Sequence, residues 1–86
     1  MDFQDLIARY FGAAGIADIA PGALDAGIER IRVDFGLEAD RARRFGLWTF
    51  LYMLGDAPDL DIAFKTEPER EAARNFMDLV AGLAPD

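Results

Sequence analysis

Apolar residues recur at helical spacing in four stretches of this chain. In the first, residues 2–15, Phe3, Leu6, Ile7, Tyr10 and Ala14 share one face, with Phe11 at its edge. Asp2 and Asp5 lie in the first turn, where the helix dipole favours negative charge. Gly12 and Gly15 predict the end. The second stretch opens at Pro21, a residue suited to the first helical position. Leu24, Ile28, Ile31 and Phe35 then form a narrow seam at i, i+4, i+7 and i+11, and Gly36 predicts the stop.

The third stretch runs from Glu38 to Leu54, with Gly55 as its stop. On a helical wheel, Phe45, Trp48 and Tyr52 make one face and Leu47, Phe50, Leu51 and Leu54 the opposite one. Ala42, Gly46, Thr49 and Met53 lie between them. Asp40, Arg41, Arg43 and Arg44 crowd into the first turns. Such a helix is solvated at its start and apolar all round at its end, the pattern of a buried central helix. The fourth stretch is announced by Thr66 and Glu69, spaced as a capping box, with Pro68 in the first turn. Ala73, Phe76, Met77, Val80 and Leu83 line its inner face, and Gly82 and Pro85 predict its end. Glu67, Arg70, Glu71, Arg74 and Asp78 read as its wet side.

Between the third and fourth helices, Pro58 predicts one short turn that docks Leu60 and Phe64. A competing pattern exists. Ile31, Val33 and Phe35 alternate, as do Leu60, Ile62 and Phe64, and alternation is a strand signal. Two such strands around the third helix would make an α+β chain with a small βαβ element at 28–65. The longer seam from Leu24 to Phe35 favours helix. The expected fold is therefore all-α: a small array or bundle of four main helices, with a short fifth turn near 58–64, in one domain over residues 1–86.

Composition narrows the function. Sixteen acidic residues against nine basic ones give a net charge of −7. That field repels phosphate backbones and anionic lipid heads, so neither nucleic acid nor membrane is an expected partner. The uncharged run from Phe45 to Gly55 spans eleven residues, whereas a membrane-spanning helix needs about 20. Acidic residues stand where a signal peptide would carry basic ones, no lipidation box is present, and there is no cysteine. The cytoplasm is the expected compartment.

The chain also lacks histidine and serine, and Lys65 is its single lysine. Nucleophile–base pairs normally draw on these residue types, and a serine-linked prosthetic group has nowhere to attach, so no enzyme and no cofactor are expected. Asp56, Asp59 and Asp61, followed by Glu67 and Glu69, resemble hard-cation ligands only in number. Their spacing fails the calcium-loop pattern, and an aspartate capping the next turn explains them. No metal is expected.

What remains is apolar surface. The other three helices must cover the third one, which is apolar on every side, and any uncovered part marks an interface. Ala42, Gly46 and Thr49 form a strip that another helix could approach closely. The expected function is a non-catalytic protein–protein interaction module: a homodimer, an adaptor or an inhibitor. Arg41, Arg44, Trp48, Tyr52 and Met53 are its candidate contact residues. The alternative is a small-molecule-binding domain. Phe45, Trp48, Tyr52 and Tyr10 would line a pocket between helices, and Arg41 or Arg44 would meet an anionic group.

Overall fold

The computed structural model describes residues 2–83. They form α1 (Phe3–Phe11), a short 3₁₀ turn (Ile16–Asp18), α2 (Pro21–Leu37), α3 (Arg41–Met53), α4 (Leu60–Ala63) and α5 (Glu67–Leu83). The fold is a small all-α bundle with no strand among the described residues. Residues 31–35 lie within α2 and residues 60–63 form the single turn of α4. The βαβ alternative is thereby excluded: alternation of three apolar residues loses to a seam that buries Ile31 and Phe35 together.

Most helix ends follow local chemistry. The Asp2 carboxylate accepts from Gln4 N, and Gly12 closes α1 in the left-handed conformation at φ 64°. Pro21 takes the first position of α2. Gly36, expected to stop that helix, lies inside it; the backbone leaves at Glu38 in an extended conformation. The third helix begins three residues later than expected. Asp40 accepts from Arg43 N at 2.9 Å and so caps α3, leaving residues 38–40 as the connection. Gly55, at φ 80°, follows its end as expected. At α5, Thr66 Oγ1 donates to Glu69 Oε1 at 2.6 Å, so the two residues meet side chain to side chain. That helix passes through Gly82 to Leu83; Pro85 lies outside the described residues.

The core gathers Leu6, Ile7, Tyr10 and Phe11 of α1, Ile31 and Phe35 of α2, and Leu47, Trp48, Phe50 and Leu51 of α3. Ala63, Phe64 and Ala73 complete it. The Cα extents are 36 × 36 × 19 Å. At an interaxial spacing of about 8–10 Å, that is a slab roughly two helices thick. A slab covers a central helix from two sides more easily than from three.

Candidate protein interaction site

Helix α3 meets the rest of the chain through two of its three apolar strips. On the first, Phe45, Trp48 and Tyr52 stack along the helix, with ring centroids 6.4 and 5.5 Å apart. Phe64 and Phe76 close on Trp48 edge-on at 5.5 and 6.3 Å. The indole N–H donates to the Pro58 carbonyl oxygen at 3.0 Å, so the one polar atom of this ring is satisfied. On the opposite strip, Phe50 packs edge-on to Phe3 at 5.0 Å and tilted to Phe11 at 6.1 Å. Leu47 and Leu51 are buried beside it.

The third strip is not covered. Gly46, Thr49 and Met53, with Phe50 beneath, form the floor of a groove of about 310 Å³. Phe3 and Leu6 of α1 make one wall and Phe76 of α5 the other. Met53 is 52% exposed and Phe3 37%. The Thr49 hydroxyl donates to the Gly46 carbonyl within its own helix at 2.8 Å, so it is already spent. A Cβ placed on Gly46 would meet nothing, which shows how open the floor is.

Beyond Phe76 the apolar surface continues along α5. Ala72, Phe76, Leu79 and Leu83 are spaced 4, 3 and 4 residues apart, the a/d pattern of a helix-pairing seam. It lies about 90° around the helix from buried Ala73. Leu79 and Leu83 are 64% and 77% exposed.

The five residues expected to form one contact surface are not brought together. Trp48 is 1% exposed and enclosed, and Tyr52 is half-buried against Trp48 and Phe76. Arg44 turns inward. Its guanidinium carbon lies 4.1 Å from the Phe35 ring centroid and 5.6 Å from that of Phe64, and Nη1 donates to the Ala63 carbonyl. It caps α4 rather than reaching outward. Arg41 is exposed at the far end of α3, and Met53 lies in the groove. From sequence, Phe3 reads as part of an apolar face but not as a groove wall, and Leu79 and the pairing seam are not singled out. The signal for the seam was the heptad step from Ala72 to Leu83, masked by the broader face that contains Phe76 and Leu83.

Elsewhere, several polar side chains hold the fold together. Asp59 accepts from Asp61 N at 3.0 Å and caps α4; Asp56 pairs with Arg32 at 2.7 Å. Arg70 Nε donates to the Phe64 carbonyl oxygen at 2.9 Å. Tyr10 donates to Asp34 Oδ2 at 2.6 Å. Burial first, then the hydrogen bond to Asp34 and its charge, pushes the phenol up to about 12.

Among the described residues, no helix is long and apolar enough to cross a membrane. In comparisons with known proteins, no family model matches the chain, and no curated protein or solved structure matches it.

Proposed function

We propose that this protein is a small cytoplasmic protein–protein interaction module without catalytic activity of its own. The observation that carries the reading is the uncovered third strip of α3, walled by Phe3 and Phe76 and extended by Leu79 and Leu83. An apolar groove between helices is the form in which folded domains receive an amphipathic helix. A net charge of −7 and the absence of histidine, serine and cysteine support a binding role over a catalytic or nucleic-acid one.

A benzophenone side chain installed at Met53 tests it in the native cell. Expected is a light-induced cross-linked protein product that is absent when the probe replaces Ile62, which is 81% exposed on α4. The product also disappears when Leu79→Glu is added. Equal labelling from both positions, or none from Met53, rejects the reading.

A second reading is binding of a small apolar carboxylate. It is supported by a hollow of about 320 Å³ floored by Phe35, Leu51 and Pro58, with Arg32 and Arg44 at its rim. Trp48 emission reports on it through the Pro58 carbonyl that its indole holds. A panel of aromatic and aliphatic carboxylates that produces no saturable change rejects this reading.

A further inference from the structure

We infer that the surface seated on this groove is a second copy of the same chain, in a two-fold dimer that pairs α5 antiparallel with α5. The inference rests on the interaction-module reading and names its partner. Three independent quantities lead to it.

The first is area. The protomer exposes 5746 Å². A compact monomer of 9.5 kDa is expected to expose about 5,000 Å². The excess of roughly 700 Å² is close to the ~800 Å² that each partner contributes to a standard-size interface.

The second is charge. A two-fold axis sets each residue of an interface near its own copy or that of a neighbour, so ionisable groups on such a face meet like groups. On a chain of net charge −7, a face escapes that repulsion where it carries no ionisable group. This one escapes. None of the residues lining the groove is ionisable. The seam from Ala72 to Leu83 is bordered by Ala73, Asn75, Val80 and Gly82, again without charge. A charged partner would find nothing here to pair with; a second copy finds nothing that repels.

The third is the shape of the seam. In an antiparallel pair the two helix dipoles oppose, and a-type residues face d-type residues. Phe76 then packs on Leu79 of the second copy, and Ala72 on its Leu83. Each layer includes a leucine, so the layers differ in volume by only one Phe-for-Ala exchange. A parallel pair would stack Phe76 on Phe76 and Ala72 on Ala72, leaving one layer crowded and the next hollow. The uncharged, small flank at Gly82 lets the backbones approach.

Sedimentation velocity from low to high micromolar protein tests the inference. The wild-type chain is expected to pass from monomer to dimer over that range. Leu79→Glu buries a carboxylate against Phe76 of the second copy, once on each side of the axis, and is expected to weaken the dimer a hundredfold or more. Because Leu79 is already exposed in the protomer, the variant retains the helical circular dichroism and cooperative unfolding of the wild type. Ile62→Glu, on another face, leaves the dimer intact. A wild-type chain that stays monomeric at high micromolar, or equal loss of dimer in both variants, overturns the inference. A monomer whose Met53 probe still cross-links a different protein refutes the second copy alone. A monomer with no Met53 product refutes the interaction module as well.

Discussion

Phe11 lies across Gly27. A Cβ on Gly27 would sit 2.2 Å from Phe11 Cε1 and 2.8 Å from the Tyr10 carbonyl oxygen. Both are far inside van der Waals contact, and the second atom is backbone. The close approach of α1 to α2 depends on a residue with no side chain at this crossing.

Gly27→Ala therefore destabilises the fold although alanine is the better helix former. Intrinsic propensity favours the change by about 1 kcal/mol, while overpacking against a fixed carbonyl costs about 1–3 kcal/mol or more. The expected net loss is on the order of 2 kcal/mol in urea unfolding. Gly36→Ala, in the same helix with open space where a Cβ would sit, is expected to be neutral or stabilising by up to about 1 kcal/mol.

Tyr10 makes stability fall at alkaline pH. Its phenol is pushed from 10.0 to about 12, chiefly by burial and then by Asp34, with Arg9 and Arg30 opposing. Below about pH 10 both folded and unfolded chains hold this proton, and its contribution is constant. Between about 10 and about 12 the unfolded chain releases it while the folded chain keeps it. Stability then drops as pH rises, because the unfolded state binds fewer protons. Urea midpoints measured across this window are expected to decline for the wild type, and Tyr10→Phe flattens that part of the curve.

Arg44 staples α3 to α2 and α4. Arg44→Ala removes the guanidinium from Phe35 and leaves the Ala63 carbonyl without its donor. The expected cost is about 1–3 kcal/mol. Arg44→Lys restores only part, since an ammonium cannot both lie flat on the ring and reach the carbonyl. Arg41→Ala, three residues earlier and exposed, changes stability by less than about 0.5 kcal/mol. Denaturant midpoints for the three variants check the order.

These residues show where sequence reading reaches and where it ends. Asp59 and Pro21 carry their roles in local geometry, so the elements they begin are legible from a few neighbouring positions; Asp2 and Asp40 act as locally, yet read as first-turn residues where the structure makes them caps. Gly36 and Gly27 carry the same letter and opposite roles. Nothing local distinguishes them, because only the crossing of α1 fills the space beside Gly27. The arginines of α3 look alike in the same way. Arg44 is set apart by Phe35, nine residues before it, and Ala63, nineteen after, both brought to it by folding.

The contact surface divides along the same line. By itself, the sequence determined an acidic all-α chain whose third helix is apolar on every side, since helical period and capping chemistry act within a turn or two. It also implied that three covering helices would be short of surface. Only the tertiary structure decided which strip is left bare. The order in which α1, α2, α4 and α5 pack around α3 puts Trp48 inside, closes the strips of Phe45 and Phe50, and leaves Gly46, Thr49 and Met53 beside the free seam of α5. That choice depends on which faces meet across the whole bundle, a sum of long-range contacts that no single segment of the chain contains.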